Sequence, residues 1–256
     1  MANYYSQGGE DYLVERMLDG QPSGFFVEVG CIDGMRFSNT LSFEERGWKG
    51  ICIEAHPDYI EGLRRNRPNS IVVQCAAGEA DEADATFYAN PRGSLSSLDR
   101  SREQHFKDNY GEFFAGYQEQ KVAKHRLDTL FDRLAVREID FLSLDIEGYE
   151  VQAMRGLDLG RYRPRIMAIE VDSKAQEAEL DAVILPHGYH KSVRIDANQF
   201  YLSDKSLEQP IRDKVFRVDV IHTQHPLDGG APRRDRVVID TRSCRGGWFR
   251  RLLERV

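Results

Sequence analysis

The sequence predicts an α/β fold: a doubly wound, seven-stranded sheet, mostly parallel with a terminal antiparallel strand, and helices on both faces. Two observations carry that expectation. Short apolar runs alternate with longer segments of helical periodicity, which is the pattern of successive βαβ units. The last two runs of the series flank Asp196-Ala197-Asn198, a turn sequence that folds them into an antiparallel pair. At 256 residues the chain is long enough for one large domain with its own core.

Residues 25–30 are the first expected strand, ending at a glycine-bearing turn, and 37–46 read as a helix closed by Gly47. Residues 50–54 follow as a strand, then Pro57 opens an amphipathic helix to about Arg65. Strands are expected at 70–75, 139–145 and 165–171, with helices at 150–156 and 174–185. The pair 189–195 and 199–202 completes the seven.

Residues 80–124 break the rhythm. They hold the turn sequence Asn90-Pro91-Arg92-Gly93-Ser94 and then a polar, aromatic-dotted helix candidate at 101–120. An insertion of that length between core strands is usually functional, and it is read as a lid. Its aromatics Phe106, Tyr110, Phe113, Phe114 and Tyr117 recur at helical spacing, as one buried helix face or as rings that stack on a sugar. Residues 1–205 therefore read as the catalytic core. Residues 206–256 read as an extension of unknown role, with a strand at 215–222 and a loop at 226–234.

Composition narrows the classes. A net charge of −7 argues against a nucleic-acid partner, whose phosphates need a clustered basic surface. Apolar runs fall far short of the ~20 residues that span a bilayer. Met1-Ala2-Asn3-Tyr4-Tyr5 has neither a basic start nor an apolar core, so a cytoplasmic location is expected. Cys31, Cys52, Cys75 and Cys244 form no C-x-x-C pair, and Cys52 and Cys75 read as small core residues. The basic, amphipathic tail 248–256 fits a packing segment, or at most a peripheral contact with an anionic membrane. Association into a homo-oligomer stays open.

Ligands of doubly wound sheets bind beyond the carboxyl ends of the strands. The first strand runs into Glu28-Val29-Gly30-Cys31-Ile32-Asp33-Gly34, which is not G-x-G-x-x-G. The carboxylates of Glu28 and Asp33 would repel a pyrophosphate and suit a ligand with a cationic amine and a sulfonium. That contrast favours S-adenosylmethionine over a dinucleotide. The second strand ends at Glu54, placed to accept from two ribose hydroxyls or to cap the Pro57 helix. His56 beside it reads as a surface or helix-entry residue. After the third strand, Ala76 and Ala77 are small enough for an adenine to lie against the backbone.

The fourth strand ends in Asp145-Ile146-Glu147-Gly148-Tyr149-Glu150. So many acids at a buried mouth call for a positive partner: the donor's cationic end, a divalent ion such as Mg²⁺, or an arginine such as Arg126. Glu150 also fits an acid at a helix N-terminus. Glu170 closes the fifth strand at the same mouth. Asp145, Glu147 and Glu170 are therefore the candidates for holding an ion and for removing a proton. His105 and His125 read as surface residues, and His187 before Gly188 as a helix C-terminal cap.

Seven segments stand in a fixed order. They are Tyr5-Ser6-Gln7-Gly8-Gly9-Glu10-Asp11, Phe26-Val27-Glu28-Val29-Gly30-Cys31-Ile32-Asp33-Gly34 and Gly47-Trp48-Lys49-Gly50-Ile51-Cys52-Ile53-Glu54. Next come Ser94-Leu95-Ser96-Ser97-Leu98, Arg126-Leu127-Asp128-Thr129-Leu130, the stretch 139–150 and the stretch 165–170. With them the chain resembles the FkbM-type family of S-adenosylmethionine-dependent methyltransferases over about residues 5–205. The resemblance implies a Rossmann-like core and methyl transfer to a hydroxyl of a small-molecule or glycan acceptor, a sugar or natural product. It implies that Glu28, Gly30, Glu54 and Asp145 line the donor pocket, with Ser6 and Gln7 arching over it. Glu28 stands where the family more often has aspartate, and its longer reach keeps the role. Two rival readings are weaker. A nicotinamide-dependent oxidoreductase lacks its glycine fingerprint, and a donor-binding scaffold without catalysis would have no use for the acids at the strand ends.

Overall fold

The computed structural model describes residues 2–223, 232–243 and 252–254. Helix α1 (Glu10–Met17) leads into β1 (Phe25–Val29), followed by α2 (Leu41–Glu45), β2 (Lys49–Glu54), α3 (Ile60–Asn66) and β3 (Ile71–Gln74). After β4 (Ala76–Ala77) the insertion contributes β5 (Glu82–Asn90), β6 (Gly93–Ser97), α4 (Arg102–Tyr110) and β7 (Gln118–His125). The core resumes with α5 (Leu127–Arg133), β8 (Phe141–Leu144), α6 (Glu150–Arg155), β9 (Ile166–Glu170), α7 (Lys174–Ile184), β10 (His190–Ile195) and β11 (Asn198–Leu202). Strands β12 (Val215–His222), β13 (Arg233–Asp240) and β14 (Leu252–Glu254) close the description.

The main sheet has seven strands in the order β10-β11-β9-β8-β1-β2-β3, and β11, the last of them in chain order, is antiparallel to its neighbours. The doubly wound, mostly parallel α/β sheet that the sequence predicts is thus the observed fold. Along β1 the side chains alternate between two cores, as a strand's period of two requires. Val27 and Val29 pack with Leu130, Phe131, Val151, Met154 and Leu180 of α5, α6 and α7. Phe26 packs on the opposite face with Leu13, Phe43 and Leu63 of α1, α2 and α3. Both faces being covered, β8 is buried along its whole length, which is why it reads as an apolar run broken only by Ser143.

Three segments differ from the sequence reading. The helix expected at 37–46 begins only at Leu41, because Phe37 takes a φ of 55° and bridges Ser6. The helix expected at 101–120 stops at Tyr110, since Gly111 turns to a φ of 49°, and 118–125 form a strand instead. The insertion, with β4 just before it, builds a four-stranded sheet, β4-β7-β5-β6, separate from the main one.

Strands β12 and β13 pair as an antiparallel hairpin. Their inward residues Val218, Val220, Val237 and Ile239 join the same apolar cluster as Leu13 and Val14 of α1. The backbone N–H of Ile221 also donates to the Tyr4 carbonyl at 2.7 Å. Cys244 and residues 224–231, with most of the loop expected at 226–234, lie outside the described residues. Of the tail 248–256 only 252–254 are described, as a strand on β13. Among the described residues no helix is long and apolar enough to cross a membrane.

Candidate active site

A cavity of about 510 Å³ opens at the carboxyl ends of β1, β2, β8 and β9, within the size range of small-molecule sites. Its walls come from the loops after those strands, the β10–β11 turn, the N-terminal segment and the insertion. Among the described residues, five of the eight non-glycine residues with positive φ lie in this lining: Ile32, Phe37, Leu95, Glu147 and Asp196. Each such conformation costs of order 1–3 kcal/mol, and strain of this kind concentrates at functional sites.

Gly30 sets the floor. Its amide donates to Ile53 O at 2.9 Å, its φ is 87°, and an added Cβ would stand 1.7 Å from the Asp145 carbonyl oxygen. No other residue fits there. Beside it Glu54 is held from two sides, Oε2 accepting from Ile32 N at 2.8 Å and Oε1 from His56 N at 2.7 Å. Each oxygen keeps a lone pair for a ligand hydroxyl. Burial raises the Glu54 carboxyl to about 7. Ala76, Ala77 and Phe87 form the apolar wall next to it.

His56 takes the helix-entry place of its sequence reading and not the surface one. It does open the helical turn at Pro57, with Nδ1 accepting from Asp58 N, but it is 3% exposed and lines the cavity. Burial lowers its pKa and keeps the ring neutral. His105 is exposed on α4 as its reading expects, His125 pairs with Asp81, and Gly188 rather than His187 carries the left-handed C-cap.

The acids at the strand ends sort into distinct roles. Asp145 and Glu170 face each other, and burial raises Asp145 to about 6 and Glu170 well above the usual carboxylate range. Close carboxyls of this kind share a proton. Glu147 turns toward the insertion, where Oε1 accepts from Leu95 N at 3.2 Å and its carbonyl accepts from Ser97 Oγ at 2.9 Å. The acids whose oxygens lie within 4.8 Å of one another are Asp145, Glu150 and Glu170, so Glu150 replaces Glu147 in the predicted ion-binding trio. Glu150 is itself occupied, accepting from Ile146 N, Gly148 N and the Gln176 amide.

Three predicted ligand residues do other work. Glu28 lines the cavity wall, but its carboxylate accepts from Ser38, Asn39 N and Thr40 and pairs with Arg67 at 2.9 Å. Its charge is balanced inside the protein and is not offered to a ligand amine. Asp33 folds the turn after β1 by accepting from Met35 N and Arg36 N, outside the lining. Ser6 donates to Asp11 at 2.6 Å, fully buried and likewise outside it. Gln7 does reach the cavity.

The sequence reading named Tyr110 and Phe113, which line the cavity, and missed Glu10, Asn39, Asn198 and Arg67 as site or supporting residues. Glu10 is 1% exposed and lines the cavity, accepting from Gly8 N and from the Asn198 amide. Its place inside Gly8-Gly9-Glu10-Asp11 was the available signal. Among the described residues Arg36 is the one cationic side chain, apart from histidine, in a lining that holds Glu10, Glu54, Asp145, Glu147 and Glu170.

Among solved structures the chain is similar to a precorrin-6y C5,15-methyltransferase from Geobacter metallireducens GS-15, at 11% identity, 88% of this chain and 81% of that one covered, and a TM-score of 0.41. It is similar to a TehB-like SAM-dependent methyltransferase from Corynebacterium glutamicum ATCC 13032 Kitasato, at 11% identity, coverage of 77% and 86%, and a TM-score of 0.38. A third is Aeropyrum pernix fibrillarin in complex with natively bound S-adenosyl-L-methionine, at 14% identity, coverage of 70% and 65%, and a TM-score of 0.36. No curated protein matches the sequence. Residues 21–193, well over half of the chain, match the methyltransferase FkbM domain. The chain belongs to the FkbM family and is an S-adenosylmethionine-dependent methyltransferase.

Proposed function

We propose that this enzyme methylates a hydroxyl oxygen of a sugar, a glycan or a hydroxylated natural product. The observation that carries the reading is the carboxyl pair Asp145–Glu170 at the base of an acid-lined cavity. Oxygen methylation releases one proton per turnover, and this pair is a place for it. S-adenosylmethionine supplies a methyl group already activated on a positively charged sulfur.

The residues present fit that donor. Gly30 lines the cavity where its missing Cβ lets the Asp145 backbone close against it, and Glu54 offers two oriented acceptors to a ribose. Ala76, Ala77 and Phe87 give an aromatic base an apolar bed. An excess of carboxylates favours a cationic ligand and disfavours a pyrophosphate. On the acceptor side, Asp145 and Glu170 take the hydroxyl proton, since a sugar hydroxyl is too weak an acid to lose it unaided. Tyr110 and Phe113 present open ring faces at the rim, 41% and 60% exposed, suited to the apolar side of a sugar ring.

Calorimetric titration with S-adenosylmethionine and, in parallel, with NAD tests the donor. Glu54→Ala is expected to weaken donor binding by about tenfold or more, the loss of hydrogen bonds to a charged acceptor. Folded protein that ignores S-adenosylmethionine would overturn the reading. Repeating turnover assays after chelation, and with added Mg²⁺, asks whether Asp145, Glu150 and Glu170 hold an ion; a strict metal requirement would move the acids from proton transfer to coordination.

A further inference from the structure

A line of polar side chains crosses the cavity away from the donor end. Asn198, the first residue of β11, pairs in register with Glu170, the last residue of β9. Its Nδ2 donates to Glu10 Oε1 at 3.1 Å, and Glu10 Oε2 in turn accepts from Gly8 N at 2.8 Å. Those contacts fix which way the amide faces. Asn198 Oδ1 is then buried with no hydrogen-bond partner. Buried acceptors are nearly always satisfied, so an oriented one at a cavity wall calls for a ligand donor.

Sheet order says which ligand this is. Glu54 stands on β2 and Asn198 on β11, with β1, β8 and β9 between them. At about 4.8 Å per strand the two lie ~19 Å apart along the cavity. The donor's ribose belongs at the Glu54 end, and the proton-taking pair lies between. The Asn198 end is left to the second reactant.

Resting on the proposed hydroxyl methylation, we propose that Asn198, held by Glu10, recognises a second hydroxyl next to the one methylated, so that the acceptor is a vicinal diol such as a pyranose ring. One hydroxyl of the diol faces Asp145–Glu170, and its neighbour donates to Asn198 Oδ1. An acceptor with an isolated hydroxyl leaves that oxygen unpaired.

The test uses the full chain saturated with S-adenosylhomocysteine. Dissociation constants are measured by NMR for methyl α-mannopyranoside, methyl α-glucopyranoside and their 2-, 3- and 4-deoxy analogues. Wild type is expected to bind one parent glycoside about tenfold more tightly than an analogue lacking one vicinal hydroxyl, the worth of one hydrogen bond. Asn198→Ala should erase that preference while its affinity for S-adenosylmethionine stays at the wild-type value. Equal binding of parent and deoxy sugars by wild type, or no binding of any, sinks the diol assignment without requiring a variant. A tenfold loss of donor affinity in Asn198→Ala overturns it too, by placing Asn198 at the donor. If Asn198→Ala does not fold, Asn198→Ser takes its place. Wild type that binds no S-adenosylmethionine at all removes the underlying methylation reading instead.

Discussion

Arg67 is the most consequential single side chain outside the cavity. Fully buried at the end of α3, it joins Glu28 of β1, at 2.9 Å, to Glu44 of α2, at 2.7 Å. Removing it would strand two buried carboxylates, so Arg67→Ala is expected to cost about 3–5 kcal/mol in urea unfolding at pH 7. Arg67→Lys should recover little, because one ammonium cannot replace a planar fork. At Asp145 the expectation concerns rate. Its carboxyl, raised to about 6, must be ionised to take a proton, so kcat should fall as pH drops through about 6. Asp145→Asn should lower kcat by about 10²–10⁴-fold and abolish that limb of the profile. The sequence pointed to Glu54, Asp145 and Glu170 because an acid just past an apolar run is a local signal. Arg67 and Glu10 carry no such mark. Their partners stand 39 and 188 positions away, and only the folded sheet brings them together.

Among the elements, α4 and the turn after it divide their aromatics by task. Phe106 is fully buried against Phe114 and Tyr117, whereas Tyr110 and Phe113 remain open at the rim. Phe106→Ala should therefore cost about 3–5 kcal/mol of stability. Phe113→Ala should leave the melting temperature and the donor affinity unchanged, and raise the acceptor KM in steady-state assays. The core strands were legible since burial on both faces makes them mainly apolar runs, interrupted at single positions such as Glu28 and Ser143. Strand β7 was not. Gln118-Glu119-Gln120-Lys121 is mostly exposed and polar, and its pairing with β5 lies in no local pattern. The helical spacing of the aromatics was real as far as Tyr110, and Gly111 ended it.

For the whole molecule, the gathered acids set the pH dependence of stability. Glu10, Glu54 and Glu150 are each raised by burial to about 7 in the folded chain, against about 4.3 when unfolded. Between those values the folded state holds more protons than the unfolded one. Stability should therefore fall as pH rises from about 4.5 to 7, then level off. Thermal melts across pH 4.5–8 check the sign. A cationic donor compensates the same charges, so the rise in melting temperature with S-adenosylmethionine should be larger at pH 8 than at pH 5.

The contact between the hairpin β12–β13 and the N-terminal segment has a consequence in time. Ile221 binds the Tyr4 carbonyl, and Val218 and Ile239 close over Gly9, beside the Glu10 that lines the cavity. A ribosome releases Gln7 and Glu10 long before it makes the strands that fasten them. The chain released without those strands is therefore an unfastened enzyme, and a free fragment ending at residue 205 should bind donor more weakly than the full chain.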